Sequence, residues 1–200
     1  MSKRLTSGSK KTGEKSPYLV GLTNLAGNPG TRLELDLEFP LNPEWTNGVV
    51  ELVGETEDFH VELTSLSEGV LARVTGEIPT TAQCSRCLDE VGDTILLDET
   101  QLFFFPEKLE AARQDAGDDA EDVLAVSDEN EIDLEPLLRD NLVLSMSSLP
   151  LCEPDCQGLC PGCGERWDTL PPDHAHEVID PRWAALGDLV KTLRDGDEKQ

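Results

Sequence analysis

From Thr31 onward the chain alternates between apolar and charged residues. Leu33, Leu35, Leu37 and Phe39 are separated by Arg32, Glu34, Asp36 and Glu38, and a period of two sets the apolar residues on one face of a half-buried strand. Val49–Val53 is a second, shorter strand pattern. Phe59, Val61 and Leu63 alternate again, and after Ser67-Glu68-Gly69 the run Val70-Leu71-Ala72-Arg73-Val74 resumes. Two such runs across a short glycine-containing connection read as a hairpin. Strand character continues through Ile78 toward Cys84, and a further strand spans Asp93 to Phe105, ending on three phenylalanines before Pro106. The first half is therefore expected to hold five or six mostly antiparallel strands, as a sheet or a partly open barrel.

The period changes at Asp133. Asp133 can cap a helix and Pro136 fits its first turn, while Leu134, Leu137, Leu138, Leu142 and Met146 share one helical face. Pro150 disfavours helix at the residue before it, so the helix should stop by Ser147-Ser148. A short amphipathic helix is expected to close the chain, beginning at Pro181 and using Trp183, Leu186, Leu189, Val190 and Leu193. Between sheet and helix, residues 107–135 hold twelve acidic and two basic residues. With so little apolar content, 107–130 is expected to be an acidic mobile loop, solvated or facing a basic partner. The resulting class is α+β, with one packed helix, a cysteine-rich knuckle at 152–164 and the closing helix. Residues 18–195 read as a single domain, between a disordered basic tail at 1–17 and a polar tail at 196–200.

Charge narrows the functional classes. Forty-one acidic residues against sixteen basic ones leave a net charge of -25, which repels nucleic acid and anionic membrane. The basic arm, with Lys3, Arg4, Lys10, Lys11 and Lys15 against Glu14, is the one stretch suited to a phosphate backbone. No run approaches the roughly 20 apolar residues of a membrane span. The arm also lacks the apolar stretch of a secretory signal, so the expectation is a cytoplasmic protein. In that reducing compartment, paired cysteines hold metal more often than they form disulfides.

The six cysteines fall in two places: Cys84-Ser85-Arg86-Cys87, and Cys152, Cys156, Cys160 and Cys163, the last two within Cys-Pro-Gly-Cys-Gly. A Cys-x2-Cys turn lets two thiolates face one ion, with glycines such as Gly162 and Gly164 relieving the tight backbone. Two such turns supply the four ligands of a tetrahedral zinc. Because 72 residues separate Cys87 from Cys160, the metal would join the β half to the segment after the helix and not form a compact finger. One zinc ion is expected, with all six cysteines as candidates. His174 and His176 are further candidates for a second site, whereas His60 lies in a strand pattern and reads as a surface residue. The competing reading of Cys-x2-Cys is a thiol redox or zinc-sensing pair. Phosphate loops, nucleophile elbows and carboxylate–histidine motifs are absent from the sequence, so an enzyme is not expected.

Several segments taken in order resemble one bacterial family. They are Cys-x-Arg-Cys after strands, an acidic segment, Glu131-Ile132-Asp133-Leu134 opening a helix, Leu149-Pro150-Leu151-Cys152, Gly158-Leu159-Cys160-Pro161-x-Cys163-Gly164, and Asp180-Pro181-Arg182-Trp183-Ala184-Ala185-Leu186. This order resembles the YceD family, linked to accumulation of large-subunit ribosomal RNA. The resemblance implies a non-catalytic role in synthesis, processing or stability of that RNA. A ribosomal protein or RNA-maturation factor would be the partner, with the basic arm as the candidate route for any direct RNA contact. It also implies metal-type ligands at Cys152 and Cys156, which are more widely retained, because some relatives lack the Gly158–Gly164 piece. Spacing alone favours Cys160 and Cys163 as partners of Cys84 and Cys87, so the sequence leaves both sets open.

Overall fold

Two fifteen-residue strands form the backbone of the architecture. β5 (Gly69–Gln83) and β6 (Glu90–Phe104) pair antiparallel along their whole length, from Gly69 opposite Phe104 to Gln83 opposite Glu90. The other edge of β5 is shared. β4 (Thr56–Ser65) covers its first half and β3 (Val50–Leu52) its last part. β2 (Arg32–Pro40) pairs with β4 from Arg32 opposite Thr64 to Pro40 opposite Thr56. β1 (Leu19–Gly21) and β7 (Glu131–Asp133) form a separate antiparallel pair. The computed structural model describes residues 15–23, 25 and 28–176. Most of the basic arm, the closing helix expected from Pro181 and the polar tail lie outside the described residues.

The alternation dictates which face is covered. Phe59, Val61 and Leu63 of β4 and Val70, Ala72, Val74 and Ile78 of β5 are buried together with Leu97 and Phe103 of β6. Leu33, Leu35 and Leu37 of β2 pack against them, half-buried. α2 (Glu135–Ser145) closes this concave face with Leu137, Leu138 and Leu142. Each fully buried leucine contributes roughly 1.5–3 kcal/mol. Tyr18 and Trp45 stack at the edge with ring centroids 5.4 Å apart, and the Tyr18 hydroxyl donates to the Pro40 carbonyl at 2.9 Å. The sheet is a half-barrel and the class is α+β.

Two local expectations are corrected. The acidic stretch at 107–130 does not run as a loop throughout: it carries helix α1 (Pro106–Ala116) and a 3-10 turn at Gly117–Asp122. Neither buries a residue. Local terms therefore hold α1: proline at the first turn, Glu107 at the N-terminal end, Arg113 at the C-terminal end, and the Gln114–Glu110 side-chain bond at 3.1 Å. The segment then returns to the sheet, where Phe104 N–H donates to Leu124 and Val126 N–H to Phe104, both at 2.9 Å. The second correction concerns Glu131–Leu134, which does not open the helix directly. Its first three residues are β7, and α2 begins at Glu135, whose N–H donates to the Asp133 carboxylate at 3.0 Å.

Among the described residues no helix is long and apolar enough to cross a membrane. The feature that positions the site is the β5–β6 hairpin, whose connection is Cys84–Asp89. The first cysteine pair is thus carried at the tip of a long ribbon. The chain leaving α2 returns to this tip, where Ser85 N–H donates to the Pro150 carbonyl at 2.8 Å.

Candidate metal centre

The hairpin connection is a closed knuckle. Cys84 N–H donates to the Asp89 carbonyl at 2.8 Å and Leu88 N–H to the Cys84 carbonyl at 3.0 Å. The turn requires a left-handed residue after the second cysteine, and Leu88 adopts it at φ 65°. The segment 160–165 repeats the device. Cys160 N–H donates to Glu165 at 2.8 Å, Gly164 N–H to Cys160 at 2.8 Å, and Gly164 takes the left-handed position at φ 76°. A leucine there pays the steric cost that glycine avoids.

The six thiols do not converge on one point. Cys84, Cys87, Cys152 and Cys156 form one group and Cys160, Cys163, His174 and His176 another, with the ligand atoms in each group within 4.8 Å of one another. Of the two alternatives left open by the sequence, Cys152 and Cys156 are the pair brought to the hairpin tip. Among the described residues the two similar knuckles do not share a ligand group, and the six cysteines divide between two separate groups. The turn after α2 reaches the tip through main-chain contacts and one arginine. Arg86 Nη1 donates to the Cys156 carbonyl at 2.6 Å, and Leu159 N–H donates to the Arg86 carbonyl at 3.2 Å. Gly158 makes this approach feasible: at φ 77°, a Cβ there would lie 2.8 Å from the Arg86 carbonyl oxygen. Arg166, just past the second knuckle, pairs with Asp89 of the first and with Asp168 at 2.7 Å. Spacing arguments miss Arg86 and Arg166; the arginine inside Cys-x-Arg-Cys was the one available signal for the former. His60 lies on the surface as expected, 2.7 Å from Asp36, whose hydrogen bond raises its pKa.

The first group fits a tetrahedral metal. Four sulfurs at about 2.3 Å from one ion lie about 3.8 Å from each other. Cys84 and Cys156 are 3.8 Å apart and Cys87 and Cys152 3.5 Å. Cys84, Cys87 and Cys156 are buried and pack with Val91, Leu151 and Leu159, while Cys152 is exposed. The protons are unevenly held. Backbone N–H groups of Cys87, then Cys152 and Arg86, pull the Cys84 thiol down to about 5. Bonds from Cys156, then Cys87, with burial, push Cys152 up to about 12. Burial, then the Cys84 side chain, also raises Cys87. Crowded thiols resist ionising together, and a divalent cation removes that conflict. With four protein donors the site has no open position, which is the structural and not the catalytic form. This group of cysteines could hold a metal ion.

Fold and site together define an α+β half-barrel with a metal-ligand-type cysteine clasp between its hairpin tip and the segment after its second helix. Residues 72–190 match the family model described as Large ribosomal RNA subunit accumulation protein YceD. Uncharacterized proteins of Mycobacterium bovis and Mycobacterium tuberculosis are 36% identical over 179 residues, covering 88% of this chain and 82% of theirs. An uncharacterized protein of Mycobacterium leprae is 31% identical over 176 residues, covering 88% of this chain and 78% of its own. No solved structure matches the chain. The chain belongs to the YceD family. The matched region begins within β5 and includes every residue of both ligand groups.

Proposed function

We propose that this protein is a non-catalytic, cytoplasmic factor that supports the synthesis, processing or stability of large-subunit ribosomal RNA, and that one zinc ion held by Cys84, Cys87, Cys152 and Cys156 shapes its working surface. The observation that carries the reading is the family match over residues 72–190, whose description is large ribosomal RNA subunit accumulation. The zinc is supported by donor chemistry: four thiols within 4.8 Å of one another, three of them buried, with Cys84–Cys156 at 3.8 Å and Cys87–Cys152 at 3.5 Å. Soft thiolates in a tetrahedral set favour zinc among the common divalent ions.

The partner is a basic protein, either a ribosomal protein or an RNA-maturation factor. The net charge of -25 favours basic protein over bare RNA. RNA contact is restricted to the basic arm and would weaken steeply with salt. The test is depletion of the protein in its own cells, followed by quantification of mature and precursor ribosomal RNA of both subunits. The reading expects a selective fall in mature large-subunit RNA, restored by the wild-type chain. Unchanged levels of both RNAs would refute it.

A further inference from the structure

We propose that the chain binds a second zinc-class ion at a separate Cys2His2 site made by Cys160, Cys163, His174 and His176. The four donor atoms lie within 4.8 Å of one another. This site does not depend on the four-thiolate reading, because it shares no ligand with it.

Three observations converge. The 160–165 knuckle has the same two main-chain closures as the 84–89 knuckle, and the same left-handed residue after its second cysteine. That geometry aims two sulfurs at a common point. His174 then brings Nε2 to 3.4 Å from the Cys160 sulfur and 3.5 Å from the Cys163 sulfur. An ion about 2.3 Å from sulfur and about 2.05 Å from nitrogen at tetrahedral angles sets that separation near 3.6 Å. Finally, His176 completes the set. Two residues on, its ring crosses that of His174 at 83° with centroids 4.5 Å apart, and it lies directly against Gly162. A side chain at residue 162 would collide with that ring.

The surrounding chain is shaped for this closure. His174 N–H donates to the Pro171 carbonyl at 2.9 Å, so the Pro171–His174 turn redirects the chain onto the knuckle. Trp167 meets His174 edge-on, with centroids 5.6 Å apart. Cys160 is buried.

The two sites differ in character. Four thiolates around a divalent ion leave a net charge of −2, whereas two thiolates and two neutral imidazoles leave none. Cys163 is exposed, and so are most of the second site's surroundings. The second ion should therefore exchange with chelators first. Its role is to pin residues 165–176 onto the second knuckle, beside the Arg166–Asp89 pair that joins the two knuckles.

The experiment is metal analysis of the full chain purified under reductant, followed by titration of the metal-free chain with cobalt(II). The wild-type chain is expected to carry two zinc ions, and its cobalt spectrum to combine a four-sulfur component with a two-sulfur, two-nitrogen component at shorter wavelength. His174→Ala/His176→Ala should keep one ion and lose the shorter-wavelength component alone. Cys160→Ser/Cys163→Ser should do the same, which guards against misreading one variant that folds poorly. One ion in the wild-type chain, with a spectrum unchanged by either double substitution, overturns the second site and leaves the four-thiolate site standing. A single ion in the wild-type chain that disappears on either double substitution supports the second site and overturns the four-thiolate reading. A metal-free wild-type chain overturns both.

Discussion

Stripping the metal should convert a stable half-barrel into a marginal one, and the size of the loss follows from how far free zinc stands above its dissociation constant. Cys87 and Cys152, which face each other across the first site, are 65 residues apart in sequence. An ion bound only by the folded chain stabilises it by about 4 kcal/mol when free zinc stands about 1,000-fold above its dissociation constant. Residues between the two pairs include all of β6, α1, β7 and α2, so the link bears on the whole fold and not on a local turn. With a urea dependence of about 2 kcal/mol per molar, the unfolding midpoint should fall by about 2 M on chelation. Where zinc is buffered above its dissociation constant, stability should also rise by about 1.4 kcal/mol for each tenfold increase in free zinc per ion bound only by the folded state. Far-ultraviolet circular dichroism in urea, under reductant and with zinc buffered at several levels, measures both effects. A midpoint indifferent to chelation and to zinc would refute the claim that these cysteines staple the fold.

Other consequences are equally direct. Gly158→Ala should cost about 2–3 kcal/mol, from left-handed strain plus displacement of the Arg86 carbonyl that accepts the Leu159 N–H, and should speed zinc transfer to a chelator; unchanged transfer would contradict the pinch at Arg86. Leu138→Ala removes a fully buried side chain of α2 and should cost about 2–5 kcal/mol in urea unfolding without changing metal content. In the metal-free chain, thiolate absorbance should show a step near pH 5 from Cys84. Its folded pKa lies below the unfolded value, so its contribution to stability is complete above about pH 9 and is lost as pH falls toward 5; metal-free stability that rises on acidification through this window would contradict it.

The sheet was largely legible because burial on one face leaves a period-two trace. Leu33 to Phe39 marked β2, and Phe59 to Val74 across Ser67-Glu68-Gly69 marked the β4–β5 hairpin. The β1–β7 pair escaped because three-residue strands carry no measurable period. α1 escaped for the opposite reason: a helix that buries nothing has no apolar stripe to read. At the site, cysteine type and number were legible but their partition was not. Spacing pairs the two Cys-x2-Cys turns with each other because they are locally alike. The fold instead delivers the irregular Cys152–Cys156 turn to the hairpin tip, since α2 ends there and Pro150 bonds to Ser85. The second knuckle is left with His174 and His176 as its neighbours, and His174-Ala175-His176 was the signal for that grouping.

The clasp between hairpin and post-helix turn is tested most directly by zinc-edge X-ray absorption on the Cys160→Ser/Cys163→Ser chain, in which only the first group of thiols remains. One bound zinc with four sulfur neighbours at about 2.3 Å is expected. Absence of zinc, or a shell with fewer than four sulfurs, would contradict it.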